Sequence, residues 1–291
     1  MRLLAVSDLH LGHPENRAIL DDLSDLEDHR ADWLILAGDV GESLTHVAMA
    51  FAALRPRFAR LIWVPGNHEL WTTEESGERL RGAAKYTALV DLARTFNVLT
   101  PEDPYPTILD GSGPDTVVLC PLFLLYDYSF RPPDVSLEGL RAWAAEEHAV
   151  CADEQHLSPS PHATRAAWCR QRLAISEARL NALPPGTRTV LINHFPLRRD
   201  LLFINRVPRL APWCGTVLTE DWHRRFNARI VVTGHQHVPR TDWRDGTRFE
   251  EVSLGYPREW RARYPETAPR LGDLLREILP GPPSEPEAPV T

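Results

Sequence analysis

Short apolar runs recur along the chain, and a turn residue stops most of them. Leu3-Leu4-Ala5-Val6, Trp33-Leu34-Ile35-Leu36-Ala37 and Leu61-Ile62-Trp63-Val64 are continuous apolar segments of strand length. Unbroken apolarity over such a length fits strands covered on both faces. Between these runs the spacing changes to the helical period. Residues 14–31 set Ile19, Leu20, Leu23 and Leu26 on one stripe, a helix is predicted over 43–55 ahead of Pro56, and 74–95 offers Leu80, Ala84, Leu89 and Leu92. Short strands are predicted at 97–99, 106–109 and 116–120, and again at 188–193, 229–233 and 247–253. Further helices are predicted at 166–182 and near 219–226, whereas 121–165 has no clean period. The end of the chain, 280–291, holds five prolines and little to bury, so disorder is expected there.

Strands that alternate with helices early, with shorter strands later, point to an α/β domain with its sheet between helices. We expect one domain over 1–279, with 121–187 as an insertion or cap. In such folds ligands gather outside the carboxyl ends of the strands.

Composition adds little to this picture but excludes several classes. The 291 residues are 43% apolar and 25% charged, ordinary for a soluble globular protein. No apolar run reaches the length of a membrane span. The first run is too short for a secretory leader and ends at Asp8, so a cytoplasmic location is expected. Cys120, Cys151, Cys169 and Cys214 form no CxxC pair and are expected to be free thiols. The net charge of −8 argues against a nucleic-acid partner, which favours basic surfaces. Lys85 is the only lysine, and the arginines are scattered, as a composition bias would leave them.

Chemistry enters with five short blocks: Asp8-Leu9-His10, Gly38-Asp39, Gly66-Asn67-His68-Glu69, Asn193-His194 and Gly234-His235-Gln236-His237. Each alone is a weak signal. Together they place Asp, Asn and His side chains at the ends of separate predicted strands. Asp8 and His10 are two apart, as are His235 and His237; in extended segments each pair would lean to one side. Mixed oxygen and imidazole donors suit manganese, iron, zinc or cobalt better than calcium or magnesium. Two cations about 3.5–4 Å apart need a shared ligand, and Asp39, after a glycine, is the candidate bridge. His68, diverging from Asn67, is a candidate proton donor to a leaving oxygen. Glu69 is read as structural, accepting nearby backbone N–H groups. Ser7 and Ser253 lack the G-x-S-x-G setting of a nucleophilic serine. His13, Tyr126, Arg131 and Arg206 are candidate substrate contacts, on segments that could reach the same mouth, with Trp213–Thr216 beside them.

The set Asp8-x-His10, Gly38-Asp39, Gly66-Asn67-His68-Glu69, His194 and Gly234-His235-x-His237 resembles the calcineurin-like metallophosphoesterase superfamily. The resemblance implies a four-layer α/β/β/α fold, a sandwich of two mixed β-sheets flanked by helices. It implies two divalent transition-metal ions, with manganese the expected choice in vitro. One ion would be held by Asp8, His10 and His237, the other by Asn67, His194 and His235, with Asp39 between them. Hydroxide generated on the ions would attack phosphorus in line, and His68 would serve the leaving group. The expected reaction is hydrolysis of a small-molecule phosphate ester, mono or di. A nuclease or protein phosphatase of the same superfamily, or a non-catalytic scaffold of the same fold, are the alternatives. Family members often carry a second acidic residue soon after Gly-Asp, and Glu42 loosely matches it.

Overall fold

The computed structural model describes residues 1–73, 77, 79–109 and 115–281. Its elements in chain order are β1 (Leu3–Val6), α1 (Pro14–Asp21), β2 (Trp33–Leu36), α2 (Leu44–Leu54), β3 (Arg60–Trp63), α3 (Gly82–Thr95) and β4 (Val98–Leu99). Then follow β5 (Thr107–Leu109), β6 (Thr116–Pro121), α4 (Leu140–Ala145), α5 (Asp153–His156), α6 (Arg165–Asn181) and β7 (Thr189–Ile192). The chain closes with α7 (Trp222–Arg225), β8 (Ala228–Thr233), β9 (Arg240–Arg244), β10 (Thr247–Glu251), α8 (Pro257–Arg263), α9 (Leu271–Leu274) and β11 (Arg276–Leu279).

The strands form two mixed sheets. One has the order β11-β1-β2-β3-β4, the other β5-β6-β7-β8-β10-β9. Neighbours among β1 to β4 run parallel, as do β6, β7, β8 and β10. β11, β5 and β9 pair antiparallel at the edges. The apolar runs explain how the sheets stack. Leu3, Ala5, Ile35, Ala37, Ile62 and Val64 form a core cluster with Leu119, Val190, Ile192, Ile230 and Val232 of the second sheet. Their neighbours Leu4, Val6, Leu34, Leu36, Trp63, Leu191 and Val231 belong instead to the cluster that includes Val47 and Phe51 of α2 and Trp168 of α6. Successive residues of a strand point to opposite faces, so each run covers a sheet-to-sheet core on one side and helices on the other. Helices therefore flank a two-sheet sandwich. Among the described residues, no helix is long and apolar enough to cross a membrane.

Several boundaries differ from the sequence expectation. The helix expected over 14–31 stops at Asp21, and Ser24–His29 is a 3-10 helix. The one expected from residue 74 begins at Gly82, part of its first turn lying outside the described residues. The one expected near 219–226 is a 3-10 turn at Val217–Thr219 followed by α7. α4, β9, α8, α9 and β11 were not expected. β9 is an edge strand with the polar sequence RTDWR, and its pairing with β10 replaces the missing apolar signal. β11 sets Leu279 opposite Leu3, a partnership no local pattern records. Of the tail expected to be disordered, residues 282–291 lie outside the described residues.

The two sheets meet at one rim. Ser7 bridges to Ser253, with Ser7 N–H donating to Val252 O (3.0 Å) and Leu254 N–H to Ser7 O (2.8 Å). Asp8 follows this joint directly.

Candidate metal centre

Every block singled out in the sequence follows the carboxyl end of a strand: Asp8 after β1, Asp39 after β2, Asn67 after β3, His194 after β7 and His235 after β8. The side chains do not converge through extended geometry, as the sequence spacing suggested. Asp8, His10, Asp39, His235 and His237 all have positive φ, between 43° and 75°. Non-glycine residues rarely adopt this left-handed conformation, and when they do they cluster at functional sites. Each strand therefore turns sharply at its end and aims its ligand back over the rim. Gly38, at φ 92°, leaves no room for a Cβ, which would lie 2.6 Å from His194 Nδ1. At Gly66 a Cβ would collide with the Asp39 carboxylate. These glycines let three strand ends close on one point.

Two groups of donor atoms result. In the first, Asp8 Oδ1 lies 3.0 Å from His237 Nε2 and 3.7 Å from His10 Nε2, and the two Nε2 atoms are 3.0 Å apart. In the second, His194 Nε2 lies 3.3 Å from Asp39 Oδ2, 3.2 Å from Asn67 Oδ1 and 3.3 Å from His235 Nδ1. Asp39 belongs both to a group with His194 and His235 and to one with His10 and His68, each with donor atoms within 4.8 Å of one another. Ligands bound about 2.1 Å from one cation stand roughly 3.0–3.4 Å apart at angles of 90–109°. Most of these separations fall in or near that range. The donors are buried or nearly so: Asp8, His10 and His194 are 0% exposed. Among the described residues, the His10 Nδ1 atom has no hydrogen-bond partner. Imidazole nitrogens facing each other across 3.0 Å fit a cation better than they fit one another.

A surrounding layer fixes these donors. Asp8 Oδ2 accepts from Ser7 Oγ (2.5 Å), Ser253 Oγ (2.7 Å) and His235 N–H (3.0 Å), while Oδ1 shares the His235 N–H at 3.3 Å and turns to the imidazoles. His194 Nδ1 is 2.9 Å from Ala37 O and His237 Nδ1 is 2.6 Å from Glu259 Oε2; both partners only accept, so each Nδ1 carries hydrogen and each Nε2 turns inward. Glu69 accepts from Asp39, Val40 and Gly66 N–H, each at 2.9 Å, and so ties two ligand loops together. Burial and the Asp39 charge push its carboxyl up to about 7. Burial works against the charged form of His194, yet Asp39 and Asp8 outweigh it and hold the imidazole up at about 10. Burial is likewise overcome at His237 by hydrogen bonds to Asp8 and Glu259, to about 10. His235, by contrast, is driven down to about 3 by burial and the neighbouring His194. Burial opposes ionisation of Asp39, but His194, His68 and His10 hold it well below the usual carboxylate range.

His68 sits at the open side. Its Nδ1 lies 3.1 Å from Glu42 Oε1, its Nε2 lies 3.9 Å from Asp39 Oδ2, and its backbone N–H donates to Asp39 Oδ1 at 2.9 Å. Its ring stacks on Trp71 at 3.6 Å. A cavity of about 1040 Å³ opens beside this indole, lined by His13, Glu42, His46, Arg81 and His156.

The remaining candidates separate. His13 lines that cavity, and its ring is 5.4 Å from that of Tyr256. Tyr126 is fully buried, edge-on to Phe195 at 5.6 Å, and offers no surface to a ligand. Arg131 donates to Val135 O (2.8 Å) and Tyr128 O (3.2 Å), bracing its own loop. Arg206 is exposed in the loop after β7. Three residues of the site were missed. Asp153, the first residue of α5, is buried, and its Oδ1 accepts from Asn67 Nδ2 (2.9 Å) and Trp71 Nε1 (2.6 Å). Tyr256 and Glu259 stand beyond β10, where Leu254-Gly255 offered the same strand-then-glycine signal as the blocks at Gly38, Gly66 and Gly234.

Comparison with known proteins agrees with this geometry. The model of the calcineurin-like phosphoesterase family matches residues 1–239. The chain is 48% identical over 285 residues to the acyl-carrier-protein phosphodiesterase PptH of Mycobacterium tuberculosis, covering 96% of this chain and 84% of that one. The crystal structure of phosphopantetheinyl hydrolase (PptH) from the same organism matches with a TM-score of 0.87 and 46% identity, covering 98% of each chain. The chain belongs to the calcineurin-like phosphoesterase family of metal-dependent phosphoric ester hydrolases.

Proposed function

We propose that this enzyme is a phosphodiesterase that cleaves the diester joining a phosphopantetheinyl group to an acyl carrier protein. The reading of the substrate is supported by 48% identity over almost the whole chain to an acyl-carrier-protein phosphodiesterase. The observation that carries the reaction class is the place of Asp39, within 4.8 Å of donor atoms in both halves of the cage. Asp8, His10 and His237 would hold one divalent ion, Asn67, His194 and His235 a second, with Asp39 shared. Manganese or iron fits this oxygen-and-imidazole set. Bound there, the two ions would supply an activated water and screen charge on the phosphoryl oxygens.

The chain's own residues do the rest. Glu42 takes the hydrogen on His68 Nδ1 and leaves Nε2 facing the open side. A protonated His68 then stands ready to give its Nε2 hydrogen to the departing oxygen. Trp71 holds the imidazole plane from the far side. The segment between β6 and β7 supplies Asp153 behind Asn67, which supports reading 121–187 as an insertion that serves the site. The four cysteines are free, which supports a reducing, cytoplasmic setting.

Incubating manganese-loaded enzyme with a phosphopantetheinylated carrier protein tests this. Mass spectrometry should find the carrier without its prosthetic group. If the carrier is unchanged while an aryl monophosphate is consumed, the substrate assignment is wrong.

A further inference from the structure

We propose that Tyr256 is a catalytic residue, its hydroxyl donating a hydrogen bond to the leaving oxygen that His68 protonates. The inference rests on the reading of His68 given above and adds a second donor to the same atom. Tyr256 Oη lies 3.2 Å from His68 Nε2. The Nδ1 hydrogen of His68 is committed to Glu42, so in the neutral ring Nε2 accepts and the phenol donates. The two groups therefore meet directly, polar atom to polar atom. An oxygen placed to accept from Nε2 comes within hydrogen-bond reach of the phenol as well.

The tyrosine is held for this task. Its ring stacks on His10 at 4.5 Å with 29° between the planes, and meets His237 edge-on at 4.7 Å. His13 closes a further side at 5.4 Å. The Tyr256 backbone N–H donates to Glu259 Oε2 (2.8 Å), the same oxygen that receives His237 Nδ1. One carboxylate thus fixes a ligand imidazole and the phenol together. Tyr256 remains half-buried rather than sealed.

During cleavage the bond from phosphorus to the leaving oxygen breaks, and its electron pair stays on that oxygen. The Nε2 hydrogen of His68 passes to the oxygen, and the imidazole is left neutral. Tyr256 makes and breaks no covalent bond. It stabilises the charge that builds on the oxygen before the proton arrives.

Tyr256→Phe keeps the ring contacts and removes only the donor. Turnover of an alkyl phosphodiester should fall on the order of 10²-fold, with KM within about threefold and metal content unchanged. On a bis-aryl phosphate, whose leaving group needs little help, the loss should shrink to a few-fold. Turnover of the alkyl ester within twofold of wild type, or the same loss on both esters, would overturn the role. His68→Ala measured on the same pair separates the premises. If Tyr256→Phe shows the leaving-group dependence and His68→Ala does not, the donor role of Tyr256 stands and that of His68 falls.

Discussion

Asp39 Oδ2 lies 3.3 Å from His194 Nε2, and its carboxylate also reaches the group that contains His10. Removing it by Asp39→Ala should lower occupancy at both positions and abolish turnover, read by elemental analysis beside an ester assay. His68→Ala should leave metal content near normal and slow turnover by roughly 10²–10⁴-fold; stripped metal there would mean that His68 is a ligand. Protons give a third residue-level check. Without metal, His194 and His237 are each held near 10 and are charged at neutral pH. Loading metal at pH 7 should therefore release about two protons, because ligands bind in their deprotonated form. Calorimetry in buffers of different ionisation enthalpy reads that number. The sign for stability follows. Both values are raised above the ordinary histidine value of about 6.5, so their stabilisation of the metal-free protein is fully present below that pH. It is lost as pH rises through 10, and the melting temperature of metal-free protein should fall over that range.

Among the elements, the segment between β6 and β7 carries the least legible part of the site. Its first part, 121–165, had no clean period, yet α5 begins with Asp153, which turns the Asn67 amide so that Oδ1 faces His194. Asp153 Oδ1 also accepts from the Trp71 indole that stacks on His68. Asp153→Ala should weaken the second metal position by roughly 10–100-fold, the usual cost of losing a residue that orients a ligand. Asp153→Asn keeps an acceptor oxygen and should restore most of that affinity. Metal titration of both variants checks this; equal loss in the two would show that charge, not orientation, matters. The sequence hid Asp153 because its acidity suggests solvent, and only its partners on a distant loop make burial tolerable. Glu69 was easier to read, since three of its acceptor bonds go to backbone within its own block and that of Asp39.

For the whole molecule, the sheet-to-sheet core keeps the rim in register. Ile35 lies in that core at 0% exposure, one strand in from β1. Ile35→Ala should cost about 2–5 kcal/mol, measured by denaturant unfolding, while the folded fraction still binds metal. An unfolding free energy unchanged from wild type would mean that this side chain does not hold the sheets together.

The strand runs, their burial on both faces and the ligand types could be read locally, because strand period and donor chemistry belong to single residues and their neighbours. The α/β class and the reaction class followed from them. The tertiary structure alone decided how the ligands converge. Five of them reach the site through left-handed turns, a conformation that sequence spacing does not encode. It alone joined Ser7 to Ser253, and brought Asp153, Tyr256 and Glu259 to the centre from segments with no metal-binding signature. Those contacts span tens to hundreds of residues, so only the packed sheets bring them together.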